Sequence, residues 1–309
     1  MGQLNSEHMF DPPSLVGTRE RAAVLALMAR RRVQWNRLAG SIEEAGSALA
    51  LLEELEAAGD PRLFPVEGSE LSLDQLEERV IEYEREGIDL VTVLDSGYPS
   101  NLRMVHDRPP VLFVRGGLSA RDERAAAVVG SRKASPEGRE KAAEIARDLV
   151  ANDYVVFSGL AAGIDTAAHE ATLAAGGRTI GVIGTGLRHY FPKQNAALQD
   201  RLAHESAILS QFWPGQEPRR WTFPQRNAVM SGLARATIVV EAGNKSGARM
   251  QARLAIEHGR PVFLLRALLR HEWAQTYANE RPATYVVDGG QEIVEHLERL
   301  YSQDFALSA

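Results

Sequence analysis

The sequence predicts an α/β fold in which a Rossmann-like, doubly wound and mostly parallel sheet follows a small N-terminal helical domain. Two observations predict the sheet. Short apolar runs alternate with amphipathic segments between residues 125 and 265, and small residues follow three successive runs, where a strand would pass into a helix. The helical domain is predicted by apolar residues that recur at helical spacing from Thr18 to Gly59.

The chain of 309 residues is long enough for one large domain with smaller attachments. Four segments are predicted. They are a helical region similar to SAM or helix-turn-helix modules (1–60), a linker with one helix and two strands (61–122), the Rossmann-like domain (123–266) and a C-terminal strand–helix extension (267–309).

Each predicted strand is a short apolar run bounded by turn residues, as is typical of strands buried on both faces. The predicted strands are Asp89–Leu94, Val111–Arg115, Ala125–Val129, Tyr154–Phe157, Thr179–Ile183, Ala207–Leu209, Thr237–Val240, Val262–Leu265 and Thr284–Val287. The predicted helices of the linker, the central domain and the C-terminal extension include Leu73–Glu86, Glu137–Asn152, Thr166–Ala175 and Gln291–Tyr301.

Composition excludes several classes of function. The sequence has no cysteine, which rules out disulfides, thiolate metal sites and cysteine nucleophiles. No stretch approaches the ~20 apolar residues that cross a membrane, and the N-terminus lacks a basic region followed by an apolar run. We therefore expect a cytoplasmic protein with no membrane partner.

The net charge of −6 permits a nucleic-acid partner, because phosphate recognition needs only a local basic surface. Arginine clusters at Arg30, Arg31, Arg32 and Arg37, and again at Arg219, Arg220 and Arg226. Such clusters suit either a solvated face or a phosphate-binding surface.

Three turns at predicted strand ends are rich in small residues: Gly130–Ser135, Ser158–Asp165 and Gly184–Leu187. Small residues let the backbone approach an anion, and the N-terminus of the following helix supplies N–H donors. Arg132 and Lys133 add charge-assisted hydrogen bonds to phosphate oxygens. Each turn alone also suits a tight connection, but three in succession predict a phosphate site at one edge of the sheet.

The sequence lacks the motifs of several other nucleotide-binding sites. The first turn is not G-x-G-x-x-G, no acidic residue ends the second strand, and the phosphate loop G-x-x-x-x-G-K-[ST] is absent, which argues against dinucleotide and nucleoside triphosphate sites. Asp165 and His169 lie four residues apart, which suits an acid–base pair or, more simply, a hydrogen bond that holds the loop to its helix. Glu241 suits a ribose contact or a cap on the next turn.

We predict no catalytic residue, no cofactor and no metal. The metal prediction rests on the absence of a shared ligand spacing among His204, His258 and His271.

The turns belong to a longer series of blocks. In order they are VVGSR (128–132), SGLAAGIDTAAH (158–169), GTGL (184–187), YFPKQN (190–195), FPQRN (223–227), VVEA (239–242) and SGA (246–248). Together with Leu94-Asp95, Tyr98-Pro99 and Pro109-Pro110 upstream, this series resembles the DNA-processing protein A (DprA/Smf) family over about residues 89–265.

The resemblance implies a Rossmann-like domain that binds single-stranded DNA, forms homodimers and, in natural transformation, loads a RecA-type recombinase onto the DNA. It implies no established catalytic reaction. Arg132 and Arg226 are the best implied phosphate contacts, Lys193 is a third, and Phe223 suits either base stacking or the core. The full predicted set is Gly130, Ser131, Arg132, Lys133, Ser158, Gly159, Gly163, Gly184, Thr185, Gly186, Lys193, Phe223, Arg226, Asn227, Ser246 and Gly247.

The sequence departs from the family in three places. Ala228 stands where a second basic residue is common, residues 263–267 lack the usual Pro-Gly turn, and a short strand–helix tail replaces a winged helix. These departures suit a divergent branch in recombination or in antiviral defence, and they leave recombinase loading open. The alternative function is a nucleotide-binding sensor or a phosphoribohydrolase of the lysine-decarboxylase-like superfamily, although Glu241–Ala248 lacks the paired glycines and threonine of that loop.

Overall fold

The structure is a computed structural model that describes residues 16–30, 34–58 and 71–308. Arg31 and Arg32 of the first arginine cluster therefore lie outside the described residues. The helices in these ranges are α1 (Thr18–Met28), α2 (Trp35–Ala45), α3 (Ala48–Ala57), α4 (Leu73–Arg85), α5 (Ser100–Arg103), α6 (Pro136–Ala151), α7 (Ile164–Ala174), α8 (Ala196–Glu205), α9 (Thr222–Leu233), α10 (Gly247–Glu257), α11 (Glu272–Glu280) and α12 (Gly290–Ser308).

The strands form one nine-stranded sheet in the order β1-β2-β6-β5-β4-β3-β7-β8-β9. They are β1 (Asp89–Thr92), β2 (Val111–Gly116), β3 (Ala125–Val129), β4 (Val155–Ser158), β5 (Thr179–Val182), β6 (Ala207–Ser210), β7 (Ala236–Val239), β8 (Val262–Leu265) and β9 (Thr284–Val287). The pairs from β6 to β9 are parallel, whereas β1 and β2 pair antiparallel with their neighbours. This mostly parallel sheet with interleaved helices and an N-terminal helical region confirms the predicted fold class.

The order of the strands creates a switch point at the centre of the sheet. From β3 the chain moves outward through β4, β5 and β6, and it then returns to place β7 on the other side of β3. In the β3–β7 pair, Ala126 lies opposite Ala236 and Val129 lies opposite Val239. The loops that follow these two strands diverge, and in open parallel sheets ligands bind in the crevice that such divergence leaves.

Both faces of the sheet are buried, because its central strands are apolar on both sides. In β3, Ala125, Ala127 and Val129 join one core, while Ala126 and Val128 join the other. Helices α6, α7 and α12 cover the second core, and α9, α10, α11 and the N-terminal helices contribute to the first. Strands that are apolar on both faces are typical of parallel sheets.

The N-terminal helices pack against one another and against β1 at the edge of the sheet. Two helix starts follow from capping residues, since Ser47 accepts from the amide of Ala50 and Ser72 forms a capping box with Gln75. Arg103 ties this region to the sheet by donating to Glu43 and to the carbonyl of Val93, each at 2.6 Å. The similarity of these helices to SAM or helix-turn-helix modules stays a prediction.

Every predicted strand is present, with limits that lie within two residues of the predicted ones. Helix α11 was not predicted; it has nine residues and buries Trp273 and Tyr277, whose ring centroids lie 5.5 Å apart. Helix α12 continues to Ser308, seven residues beyond its predicted end. The division into four segments stays a prediction, since one sheet joins strands from three of them. None of the described helices is long and apolar enough to span a bilayer.

Candidate functional site

A cleft of ≈ 580 Å³ opens at the switch point, beyond the carboxyl ends of β3 and β7. Four pieces of the chain line it: the turn after β3, the turn after β4, the first half of α9, and the loop from Gly243 into α10. These pieces are far apart in sequence and converge because of the strand order. Nine of the predicted residues line this cleft: Gly130, Ser131, Arg132, Lys133, Phe223, Arg226, Asn227, Ser246 and Gly247.

The cleft is positively charged although the whole chain is acidic. Four cations, Arg132, Lys133, Arg226 and Lys245, line it together with a single carboxylate, that of Asp165. Arg132, Lys133 and Lys245 are exposed, and none of the three forms an ion pair with an acidic side chain of the described residues. Unpaired cations around a concave site attract anions, and the low-dielectric walls strengthen that attraction.

Arg226 is buried beneath this surface and is mostly occupied by the protein itself. Its Nη1 donates to the carbonyls of Gly159 and Val182, both at 2.6 Å, and its Nε donates to Asn227 at 2.9 Å. Burial lowers the pKa of Arg226 to about 10, so the side chain stays charged at neutral pH. Its Nη2 donates no hydrogen bond to another described residue, which leaves this nitrogen as the part of Arg226 that can reach a ligand.

Asp165 places a buried carboxyl group beside Arg226. One carboxylate oxygen accepts hydrogen bonds from the amides of Gly159 and Ala161, at 3.1 and 3.3 Å. Burial raises the pKa of Asp165, although Arg226 and the two amides act in the opposite direction. The two hydrogen bonds confirm the simpler sequence interpretation, in which this residue holds the loop to its helix.

His169 does not pair with Asp165. The imidazole is fully buried in α7, and its Nδ1 lies 2.7 Å from the hydroxyl of Thr179. Burial lowers the pKa of His169 to about 3, so the ring is neutral at physiological pH. The acid–base pair considered from the sequence is therefore not formed in this structure.

The helix N-termini at the cleft differ in availability. In α10, Ser246 caps the amide of Arg249, and Gly247 is exposed beside Lys245. In α6, by contrast, the carboxylate of Glu241 accepts from the amide of Ser135 at 3.1 Å and from its hydroxyl at 2.6 Å. The expectation that α6 offers free N–H donors is corrected here, because Glu241 already supplies an anion to the start of α6. Glu241 thus caps the start of α6, 106 positions away, whereas the sequence suggested a cap on the turn that follows Glu241.

Seven predicted residues lie outside the cleft lining: Ser158, Gly159, Gly163, Gly184, Thr185, Gly186 and Lys193. The hydroxyl of Ser158 donates to Val128 at 2.6 Å, and the carbonyl of Thr185 accepts from Ser210 at 2.7 Å. The amide of Gly186 donates to Gln216 at 2.8 Å. The named polar groups of Ser158, Thr185 and Gly186 therefore satisfy other parts of the protein. A role of all seven residues in binding DNA stays a prediction.

Two of these glycines permit close approaches on which the cleft depends. A Cβ at residue 159 would lie 2.1 Å from Nη1 of Arg226, so only glycine leaves room for the buried guanidinium. Gly163 has φ +86°, and a Cβ there would lie 2.2 Å from the carbonyl oxygen of Ser131. The turn after β4 is thus built to support the turn after β3.

Aromatic rings extend from one side of the cleft. Phe223 is half-buried; its ring packs on Gly184, lies 5.4 Å from the ring of Phe191, and lies under the guanidinium of Arg132 at 5.4 Å. Phe191 and Tyr190 are both 39% exposed. Lys193 follows on the same segment and is exposed. The aromatic strip, defined by Tyr190, Phe191 and Phe223, therefore connects the cleft to Lys193.

Sequence reasoning missed Lys245 and Phe191 as candidate site residues. Lys245 directly precedes the recognised block SGA (246–248), but its place at the cleft depends on β7 lying beside β3. Phe191 belongs to a recognised block, yet its ring contact with Phe223 joins residues separated by 32 positions. Among the described residues, the one group of three potential metal ligands, His106, Asp107 and His258, lies outside the cleft.

Comparison with known proteins identifies relatives over most of the chain. The family model for DNA recombination-mediator protein A matches residues 89–298. DNA processing protein DprA from Streptococcus pneumoniae is 43% identical over 174 residues, which cover 56% of this chain and 61% of that protein. The chain thus matches less than two thirds of the length of that curated relative.

Two solved structures share the fold. The X-ray structure of DNA processing protein A from S. pneumoniae superposes with a TM-score of 0.68 at 30% identity and covers 91% of this chain and 98% of that chain. The DNA processing protein A of Helicobacter pylori gives a TM-score of 0.58 at 25% identity and covers 65% of this chain and 93% of that chain. The latter structure is described as showing a single-stranded DNA binding mode.

Proposed function

Because the chain belongs to the DNA recombination-mediator protein A (DprA/Smf) family, we propose that it binds single-stranded DNA in the cleft between β3 and β7 and acts in DNA processing during recombination. One observation carries the proposal: unpaired cations and the open N-terminus of α10 surround a cleft that continues into an aromatic strip. Phosphates and unstacked bases need these two kinds of surface side by side.

Phosphodiesters suit the cleft because each carries one charge and offers two free oxygens. Arg132, Lys133 and Lys245 surround the opening without acidic partners among the described residues, and Nη2 of Arg226 supplies a further donor. The amides at the start of α10 add donors that favour an anion. Contacts of this kind fix the backbone without reading the bases, so binding is expected to be largely independent of sequence.

The aromatic strip supplies the base-binding part of the proposal. Phe223 lies under Arg132 and beside Phe191, and the exposed part of Phe191 can stack on a base that leaves the cleft. Stacking on an aromatic side chain contributes ~1–3 kcal/mol per base and tolerates any sequence. Duplex DNA keeps its bases paired and stacked, so the strip favours single strands.

The relatives support this proposal, since the H. pylori protein is described as binding single-stranded DNA. Five further properties stay proposals that rest on membership of the family. They are recombinase loading, homodimer formation, a role in transformation or antiviral defence, a cytoplasmic location and the absence of turnover. Size-exclusion chromatography with light scattering tests the homodimer, and co-purification from the native host tests the recombinase.

The main test is fluorescence anisotropy with a labelled oligothymidylate over a series of salt concentrations. Wild-type protein is expected to bind saturably, and log affinity should fall with log salt by ~0.7 per phosphate contact. Arg132→Ala should weaken binding about tenfold for every base sequence, since it removes one charged phosphate contact.

The matched control is Arg85→Ala. Arg85 is an exposed arginine in the last turn of α4, and α4 packs on β1 at the far edge of the sheet. The Arg85→Ala variant loses the same charge at a distance from the cleft, so its affinity for oligothymidylate should change by no more than about twofold. Absence of binding at low salt, or equal losses in the two variants, would remove the proposal.

A nucleotide-binding or phosphoribohydrolase function is the second candidate, and the cleft volume of ≈ 580 Å³ favours it, since small-molecule pockets have this size. Catalysis of that kind needs a carboxylate at the loop formed here by Glu241–Ala248. Glu241 accepts hydrogen bonds from Ser135 at the start of α6 instead. Incubation with a panel of nucleoside monophosphates, followed by chromatography for free base, tests hydrolysis: released base supports a phosphoribohydrolase, and its absence removes that function. Calorimetry with the same nucleotides tests binding without turnover, and absence of binding removes the nucleotide sensor.

A further inference from the structure

Three potential metal ligands converge at the end of α10 that is opposite the cleft. His106 and Asp107 lie in the loop between α5 and β2, and His258 is the C-cap residue of α10. One ligand atom from each side chain lies within 4.8 Å of the other two. The sequence analysis did not group these residues, because 151 positions separate Asp107 from His258.

Two of the three ligand atoms are buried and lack a well-aligned hydrogen bond. Nε2 of His258 lies at an ion-pair distance, 2.8 Å, from Oδ1 of Asp107, but the two side chains are poorly aligned for a hydrogen bond and both atoms are inaccessible to solvent. A buried polar pair in this condition costs free energy unless a further group satisfies both atoms. A cation between them would do so.

The other side of the His258 ring is already fixed. Its Nδ1 lies 3.0 Å from the hydroxyl of Ser231 in α9. A histidine that donates Nδ1–H to an oxygen carries its lone pair on Nε2, which is the state that binds a metal. In the tautomer that donates Nδ1–H to this hydroxyl, Ser231 orients Nε2 of His258 toward Asp107 as a supporting group orients a metal ligand.

We propose that His106, Asp107 and His258 form a binding site for a divalent transition metal of the zinc class. Imidazole nitrogen and carboxylate oxygen are ligands that such ions accept at about 2.0–2.2 Å. Two atoms that share an ion at these distances in tetrahedral geometry lie about 3.4 Å apart, so Asp107 and His258, now 2.8 Å apart, would separate by about 0.6 Å to admit it. His106 is exposed, so its ring can turn to complete the set, with water in any remaining position.

The site would fasten the loop between α5 and β2 to the C-terminal end of α10. The N-terminal end of α10 lines the cleft, so the metal would lie a full helix length of 11 residues away. We therefore assign it a structural role, and DNA binding is expected to be independent of it. This separation makes the metal proposal testable apart from the proposed function.

The test is titration of the full chain, freed of metal with a chelator and dialysed, with Co²⁺ and Zn²⁺. Calorimetry should give one site per chain, the Co²⁺ form should show visible ligand-field bands, and the unfolding midpoint should rise with metal. His106→Ala should weaken binding at least about 100-fold while leaving the circular dichroism spectrum unchanged, because His106 is exposed. Ser231→Ala, which removes only the orienting hydroxyl, should weaken it about tenfold.

His204→Ala is the matched control, since His204 is another exposed histidine and belongs to no such group among the described residues. It should bind metal as wild type does. If wild type shows no stoichiometric binding of either ion, or if His106→Ala binds as tightly as His204→Ala, the proposal is overturned. Wild type, His106→Ala and His204→Ala should bind oligothymidylate with the same affinity in the anisotropy assay. The outcome of the metal test is therefore separate from that of the DNA proposal.

Discussion

The turn after β3 and the turns after β4 and β5 all carry glycines at strand ends, yet they receive different partners. After β3, Gly130–Lys133 opens into the cleft, where Arg132 and Lys133 have no acidic partner among the described residues. Protein atoms fill the space beside a glycine of each turn: Ile164 at Gly130, Arg226 at Gly159, and the backbone of residues 213–214 at Gly186. Of these three turns, only the one after β3 places cations without such a partner at the cleft. A glycine at a strand end shows that something approaches the backbone, but the turn alone does not show what approaches.

The difference follows from the strand order. The connections from β3 and β7 leave the sheet in opposite directions, so their loops diverge and a crevice remains. The connections from β4 and β5 leave in the same direction as those of their neighbours, and consecutive loops pack on one another. Family resemblance in all three turns therefore mixes residues that line the cleft with residues that hold the cleft-lining turn in position.

The largest expected effect that tests this contrast is on stability. Gly186→Ala would place a Cβ 2.1 Å from the carbonyl oxygen of Trp213 and 2.3 Å from that of Pro214. Because backbone atoms must move, a loss of about 3 kcal/mol in the free energy of unfolding is expected, measured by urea denaturation.

Gly247→Ala is the control on the cleft side. A Cβ there meets no atom within 4 Å, and the residue begins a helix, so stability should stay the same or rise by about 0.5 kcal/mol. Equal losses in the two variants would show that the loop after β7, which lines the cleft, and the turn after β5 do not differ as argued.

The fold was predictable because it rests on local patterns. The run Ala125–Val129 is apolar at every position, which predicts a strand buried on both faces, and the structure confirms its limits. Helix α11 was not predicted, because a helix of nine residues shows little periodicity. Its burial depends on the packing of Trp273 and Tyr277 against the core beside the sheet. Helix lengths and strand limits near turns are set by tertiary packing in the same way.

The site was predictable only in part, because its geometry depends on pairs distant in sequence. The turn Gly130–Lys133 was found from its small residues and cations. The hydrogen bonds of Arg226, by contrast, reach carbonyls 67 and 44 positions away, so the sequence could not show that its guanidinium is mostly occupied. Glu241 at Ser135, 106 positions away, and Lys245 at the cleft were hidden for the same reason.

The second effect concerns the one carboxylate in the cleft. Asp165→Asn removes a negative charge beside Arg226, while the amide oxygen can still accept from Gly159 and Ala161 as one carboxylate oxygen does now. Affinity for oligothymidylate should rise about tenfold, or ~1.4 kcal/mol, because a charge of the same sign as the phosphates is gone.

The pH dependence of binding provides the control for this variant. Burial raises the pKa of Asp165, and bound phosphates raise it further, so binding takes up a proton. Wild-type affinity should therefore increase as the pH falls through this raised pKa, whereas the asparagine variant should not change. No histidine lines the cleft in the described chain, so an equal pH response in both proteins would contradict the role given to Asp165.

The smallest effect belongs to Lys193, which the resemblance implies as a phosphate contact and which lies outside the cleft lining. It follows Phe191 in the aromatic strip and is exposed. A strand that leaves the cleft past Phe223 and Phe191 would bring one phosphate to it in open solvent, where a single contact contributes little. Lys193→Ala should thus weaken binding about twofold and reduce the salt slope by ~0.7.

A series of shortened oligothymidylates locates the contact, because an oligonucleotide that fills only the cleft should bind both proteins equally. A loss that persists with the shortest oligonucleotide, or one as large as that of Arg132→Ala, would mean that DNA contacts the turn at Lys193 as directly as the cleft between β3 and β7.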